Sequence, residues 1–467
     1  MREETDLAAS RSGRGPEPEV DPIDVPGFVE AIVGAIDAGE ADVLRGLVAD
    51  LHESDVARLL EALPASERPR LIELLGADFD FTALTELDET VRVQILQGLS
   101  TQTVVEGMRD LDSDDAVYIL EDLDDDEKQA ILAQLPIPDR ATLQRSLDYP
   151  EESAGRRMQT EFIALPPFWT VGQTLDYIGE TEGLPETFFE VFVVDPSYRL
   201  SGSVPLDRLL RTKRGVKLGE VLTPDRHVVN VTDDQEGVAR VFERYNLISA
   251  PVVDSAGRLV GVLTVDDIVD VIQEEADEDL KALGGVASDE ELSDSFWYIA
   301  RSRFTWLFLN LIAANLASFV ISLFEGELQK MVALAVLMPI VASQGGNAGT
   351  QTMTVAVRAL ATRELRPSNA GRIIGRELLV GLFNGVVFAV IMAVVVFARF
   401  GVLDLGFVIA LAMIINLVAA ALGGILIPLA LDRLKVDPAV SSGPFVTTIT
   451  DVVGFFAFLG IASLWFA

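Results

Sequence analysis

The run MVALAVLMPIVASQGGNAGTQTMTVAV at residues 331–357 decides the fold. It carries no charge and exceeds the about 20 apolar residues that a helix needs to cross a bilayer. It is nevertheless unlike a plain lipid-facing helix. Pro339 withholds a backbone donor, and Gly345 and Gly346 permit either unwinding or the close approach of another chain segment. Gln344, Asn347, Thr350 and Gln351 put polar groups at membrane depth. Irregular backbone survives at that depth only where buried protein or water satisfies it. Small residues with polar neighbours also serve simple helix–helix packing. The stretch therefore reads as the wall of a water-filled path or as a helix crossing.

Four further stretches of spanning length flank it, at 304–324, 378–398, 405–431 and 438–467. The last contains a single charge, Asp451, the only carboxylate well inside any of the five. An ionisable residue at that depth faces a cavity or a partner. No Lys or Arg lies at similar depth in the other four stretches, so an ion pair explains Asp451 poorly. A proton carrier or, better, a cation-attracting group in a wet path remains. Thr447 lies four residues before it on the same helical face, Thr448 and Thr450 could add hydroxyls, and Gly454 would open space beside it.

Charge divides the chain in two. Residues 297–467 hold eight acids and eleven bases, for +3, whereas the first 296 residues carry −39 of the total −36. So acidic a chain is a poor partner for nucleic acid, whose backbone is held by Lys and Arg. It contains no cysteine and only two histidines, His52 and His227, which excludes disulfides and a His-rich metal centre. Arginines cluster before the first spanning stretch (Arg301, Arg303) and between the second and third (Arg358, Arg363, Arg366, Arg372, Arg376). Arg433 and Lys435 lie between the fourth and fifth. These loops are expected to be cytoplasmic, with the N-terminus inside and the C-terminus outside. No apolar N-terminal segment reads as a signal peptide.

The acidic front half has three parts. Residues 1–26, rich in Pro, Gly and charge, are expected to be a disordered tail. From 27 to 150 short amphipathic runs predict a stack of helical hairpins. Asp112, Asp114, Asp115, Asp122, Asp124, Asp125 and Asp126 crowd one part of it. They read as helix caps and solvated faces, or as a place for divalent cations. From 151 to 272, FFEVFVVDPSYRLSGSVPLDRLL (188–210) and LISAPVVDSAGRLVGVLTVDDIVDVI (247–272) share a plan of strand, Asp-led turn with a following Arg, strand and helix. They are two copies of one unit. The segment VIQEEADEDLKALGG (271–285) then leads to the membrane, with Glu274, Glu275, Asp277, Glu278 and Asp279 close together. Bound divalent cation would let it pack against acidic neighbours, and cation loss would repel it. No phosphate-binding glycine loop or hydrolase elbow is present, so no catalytic constellation is expected.

PIVASQGGNAGTQ (339–351), RALATREL (358–365), VDPAVSSGPFVTTITDVVG (436–454) and LTVDDIVDV (263–271) together resemble the MgtE-type magnesium transporters. That family is related to the membrane units of the animal solute-carrier magnesium transporters. The likeness runs from residue 28 onward. It implies a multidomain α-helical membrane protein: a cytoplasmic helical-stack N domain (27–150), tandem α/β CBS domains (151–272), a connecting plug helix (273–296) and a pore domain of five transmembrane helices (297–467). It implies a homodimer in the inner (plasma) membrane, with the ion path on the two-fold axis and no obligate further protein partner. By resemblance Asp451 recognises hydrated Mg²⁺, Pro339 belongs to the motif beside the pore, and Gly345, Gly346, Asn347, Gln351, Gly443 and Thr447 line it. Gly443 stands where some members carry Asn, and Arg157 where members carry an apolar residue. Residues 274–290 match the plug. Regulatory Mg²⁺ is implied between the acidic domains, with Asp112, Asp114, Asp266, Asp267, Glu274, Glu275, Asp277, Glu278 and Asp437 as participants, and a nucleotide is a further possible ligand of the CBS domains. The expected function is Mg²⁺ conduction driven by membrane potential and closed by high cytosolic Mg²⁺. The alternatives are a proton- or sodium-coupled carrier and a membrane-anchored sensor without flux.

Overall fold

The computed structural model describes residues 25, 27–185, 187–224, 227–287, 290, 295–366 and 368–466. The expected tail, 1–26, lies outside the described residues apart from Val25. The chain forms two compact units, 1–272 and 273–467.

The first unit opens with short helices: α1 (Phe28–Ala38), α2 (Ala41–Val48), α3 (Glu53–Ala62), α4 (Arg68–Leu75), α5 (Glu89–Gly98), α6 (Thr101–Gly107), α7 (Ser113–Glu121), α8 (Asp125–Leu132) and α9 (Ile137–Leu147). Each is too short to be stable alone, and burial holds them. Ile32, Leu44, Leu59, Leu60, Leu71, Ile72, Leu84, Ile119 and Leu120 form one apolar core. Local signals end the helices where the core pattern ends. Gly39 takes a left-handed φ of 69° after α1, and the Ser100 hydroxyl accepts from the Thr103 amide at the start of α6. Asp112 and Asp124 occupy the N-cap positions of α7 and α8, and the acids that follow them fill the first turns. Carboxylates are favoured there by the helix dipole, which accounts for part of the acidic crowd.

Two β–α repeats complete the unit, with α10 (Ala154–Arg157), β1 (Ala164–Leu165), α11 (Val171–Glu180), β2 (Glu190–Val194), β3 (Leu200–Pro205), α12 (Leu206–Arg211) and α13 (Leu218–Val221) in the first. The second has β4 (Val229–Asn230), α14 (Gln235–Tyr245), β5 (Ser249–Val253), β6 (Leu259–Thr264) and the start of α15 (Val265–Gly284). Each sheet pairs its first strand parallel and its last antiparallel to the middle one, with an irregularity at Val193/Val194 and at Val252/Val253. The two turns are copies. Asp195 accepts from the Ser197 and Arg199 amides, and Asp254 from those of Ala256 and Arg258. The hairpins meet where Arg199 bridges to Arg258, over a shared cluster of Phe192, Val194, Leu259 and Val262. Arg157, which stands out in the sequence, donates to Gln235 at 3.1 Å and lies over the Tyr118 ring.

The second unit holds α16 (Phe296–Ser322), α17 (Glu325–Lys330), α18 (Val332–Ala361), α19 (Ala370–Phe400), α20 (Leu403–Arg433) and α21 (Pro438–Phe466). All but α17 are long and apolar enough to cross a membrane. Helix α20 is the centre of the bundle, its most apolar 18-residue window being 56% buried, whereas that of α16 is 11% buried. Small residues set the crossings: a Cβ on Gly424 would fall 2.7 Å from the Gly349 carbonyl, and one on Gly381 2.7 Å from Ala421.

Helix α16 begins at Phe296, ahead of the apolar stretch at 304–324, because the Ser295 hydroxyl caps it by accepting from the Tyr298 amide and Arg301 and Arg303 continue it. The described start of the connecting segment continues the last helix of the second repeat. Helix α15 runs unbroken from the second repeat to Gly284, and Gly285 ends it at φ 71°, with the Val286 amide returning to the Lys281 carbonyl.

Candidate ion path and acidic cluster

Helix α18 stays continuous through Pro339 and the glycine pair, so the unwinding reading is corrected. Proline removes one intrahelical bond, and the turn after it is tied from outside: the Asn416 amide on α20 donates to the Val341 carbonyl at 2.8 Å. The helix has two faces. Val341, Gly345, Gly349, Met353 and Ala356 are buried against the bundle. Ser343, Asn347, Thr350, Gln351 and Thr354 recur at helical spacing on the other side, all exposed. Within one chain, a spanning helix thus turns a polar stripe outward.

The two glycines separate. A Cβ on Gly345 would lie 2.2 Å from Asn416 Nδ2, whereas one on Gly346 meets nothing within 4 Å. Gly345 is therefore a packing position, buried under Asn416, and Gly346 faces open space. Gly454 behaves like Gly345, since its Cβ would lie 2.8 Å from Asn416 Nδ2. The space beside Asp451 that this glycine was expected to open is filled by Asn416. Asn416 is the residue the sequence reading missed. It is 1% exposed, touches α18 and α21 from α20, and its Oδ1 has no partner among the described residues. Its signal was a lone amide in the apolar run AMIINLVAA (412–420).

Helix α21 packs on α18 where Gly349 meets Val446 and Thr450. Asp451 is half-buried and Thr447 exposed. Thr448 and Thr450 do not join them: their hydroxyls donate to the Pro444 and Thr447 carbonyls at 2.6 and 3.0 Å, and Thr450 is fully buried. Asp451 makes no hydrogen bond or ion pair among the described residues. A Cβ on Gly443 would meet nothing within 4 Å.

In the first unit the structure brings Asp112, Asp114, Asp266 and Asp267 together, and adds Asp115, Asp270 and Asp80. Residues 159–161 bring this about. Gln159 pairs with Val262 of β6 and donates to Asp112 at 2.7 Å, while Ser113 donates to Glu161 at 2.8 Å. The start of α7 is thereby pinned beside the β6–α15 junction. Burial, then the neighbouring carboxylates, pushes Asp115 up to about 7. Burial pushes Asp267 up to about 7 and Asp114 well above the carboxylate range, again with carboxylate neighbours. Asp122 is different, being paired at 2.6 Å with buried Arg92. Among the described residues no three carboxylates converge on a point that would hold a bare ion. An all-oxygen set held apart suits a cation that keeps its water, as Mg²⁺ does.

In the second unit, Glu274, Glu275 and Glu278 of α15 are half-buried and Asp277 is exposed. Asp279 is raised by burial and by Asp437, against the opposing charge of Arg358. Asp437 also caps α21, accepting from the Ala439 amide at 2.7 Å.

Five spanning helices with an outward polar stripe, joined to an acidic helical stack and a paired β–α repeat, define a polytopic membrane transporter with a large hydrophilic half. Family models match three segments: the divalent cation transporter MgtE at 338–461, the MgtE intracellular N domain at 51–152 and the CBS domain at 218–274. The magnesium transporter MgtE of Bacillus subtilis (strain 168) is 31% identical over 425 residues, 91% of this chain and 94% of that protein. The Enterococcus faecalis (strain ATCC 700802 / V583) magnesium transporter MgtE is 37% identical over 317 residues, 68% of this chain and 70% of that one. A crystal structure of the cytosolic domain of the Mg²⁺ channel MgtE in complex with ATP covers 52% of this chain and 99% of its own, at 29% identity and TM-score 0.49. The chain belongs to the MgtE family of divalent cation transporters. The CBS model matches the second repeat, and the first repeat shares its strand order and Asp-anchored turn.

Proposed function

We propose that this protein conducts Mg²⁺ down the membrane potential as a channel-like homodimer and closes when cytosolic Mg²⁺ is high. One observation carries the reading. The polar stripe of α18 with Asn347 and Gln351, and Asp451 with Thr447 on the adjoining α21, lie on faces that a single chain leaves uncovered. A second copy related by two-fold symmetry would close these faces around water and supply a second Asp451, giving a hydrated cation two carboxylates. The relatives' activity as magnesium transporters supports the choice of ion. The potential supplies about 2.3 kcal/mol per charge per 100 mV. The arginine-rich loops support a cytoplasmic N-terminus and an extracytoplasmic C-terminus in the plasma membrane.

Closure is assigned to the acidic groups. Hydrated Mg²⁺ would be held by Asp112, Asp114, Asp266 and Asp267, with Asp115, in the first unit, and by Asp279 and Asp437 in the second. Glu274, Glu275, Asp277 and Glu278 add to the field around α15.

The test is Mg²⁺ influx into liposomes with an inside-negative potential, for wild type and Asp451→Ala, with internal Mg²⁺ absent and then millimolar. Flux that Asp451→Ala abolishes and internal Mg²⁺ suppresses is the expected result. Unchanged flux in Asp451→Ala would sink the path assignment. Flux requiring a proton or sodium gradient would favour the coupled carrier, and folded protein without flux the sensor.

A further inference from the structure

A cavity of about 410 Å³ opens at the arginine-rich end of the bundle, between the C-terminal turns of α18, the N-terminal turns of α19, and Ile425 of α20. Its rim is built. The Arg366 amide donates to Asn369 Oδ1 at 2.8 Å, Asn369 Nδ2 donates to the Glu364 carbonyl at 2.7 Å, and the Leu365 amide donates to the Ala359 carbonyl at 2.8 Å. Arg372 and Arg376 line it one helical turn apart. Like charges at that spacing repel unless an anion lies between them. Arg376 has only a 3.4 Å contact to Glu377, and the Arg372 guanidinium has no partner among the described residues. The cavity walls below are apolar, with Val355, Ala356 and Ile373.

The stripe on α19 continues this polarity. After Arg372 and Arg376 the same face carries Leu379, 67% exposed, and Phe383, 69% exposed. Two cationic turns followed by two apolar turns reproduce the layout of a phospholipid, with phosphate at the interface and acyl chains beneath it. Segment 358–377 holds five arginines against Glu364 and Glu377, so the local field favours an anion. Basic pockets between spanning helices are places where anionic head groups settle.

We propose that this cavity binds one anionic glycerophospholipid, its phosphodiester between Arg372 and Arg376 and its chains along Leu379 and Phe383. Full-length protein in nanodiscs of phosphatidylcholine with a minor fraction of phosphatidylglycerol provides the test, with retained lipid counted by native mass spectrometry. Phosphatidylglycerol should be enriched on wild type. Arg372→Ala and Arg376→Ala should each lower that enrichment about fivefold, Arg372→Lys should keep most of it, and Glu364→Gln should raise it. Equal enrichment in wild type and both alanine variants, at unchanged unfolding temperature, would overturn the proposal. So would a preference for phosphatidylcholine that Glu364→Gln removes, since the quaternary ammonium would then be the recognised group.

Discussion

Gly345 and Gly346 are neighbours in sequence and opposite in surroundings, and a single methyl group separates their roles. Gly345→Ala drives a Cβ into Asn416. It is expected to lower stability by about 1–3 kcal/mol, the usual cost of overpacking, read as a lower unfolding temperature in detergent. Gly346→Ala meets open space and should leave that temperature unchanged, so any effect on flux would report on the path itself. Asn416→Ala should cost about 0.6–1.7 kcal/mol, the range for an amide bond between membrane helices. Combined with Gly345→Ala it should cost less than the sum, because the obstacle is then gone. Sequence alone could not divide the glycines. Both satisfy the same pattern, and the residue that separates them lies 71 positions away on another helix.

At the scale of the helices and their junctions, charge placement governs. Arg92 of α5 is 2% exposed and donates to Asp122 and to the Leu84, Thr85 and Leu87 carbonyls. Arg92→Met would strand a poorly exposed carboxylate and is expected to cost about 3–5 kcal/mol. Arg92→Met with Asp122→Leu should recover most of it, as thermal unfolding would show. The acidic crowd was visible in the sequence, but which of its members pair was not, since Arg92 and Asp122 stand 30 residues apart. The junction of α7 with β6–α15 has its own pH signature. Asp115 and Asp267 sit near 7 in the fold, against about 3.9 unfolded. Their folded pKa values are raised, so their contribution is fully present below about 3.9 and is lost as pH rises through 7. Cation-free protein should therefore be less stable at pH 8 than at pH 5. Added Mg²⁺ should raise the unfolding temperature more at pH 8, and Asp267→Asn should flatten that difference.

For the whole molecule, five spanning helices, two repeats and an acidic front were legible because each is a pattern along the chain, of length, of alternation or of net charge. Which faces are covered is not such a pattern, because it depends on segments far apart or on another copy. The chain contains no cysteine, so a cysteine introduced singly has no competing thiol within it. If two copies face each other across α18, Gln351→Cys should give a disulfide-linked dimer under mild oxidation. Val390→Cys, on an exposed apolar position of α19, should not. Monomer from both would exclude that two-fold arrangement.

Helix α15 passes from the second repeat into the membrane-proximal unit with no glycine or proline before its last residue. At 20 residues it is about 30 Å long, and it lacks the residues at which helices ordinarily bend. By composition it is a stiff rod, and by geometry alone a tilt of about 5° at one end of such a rod corresponds to about 2.6 Å at the other.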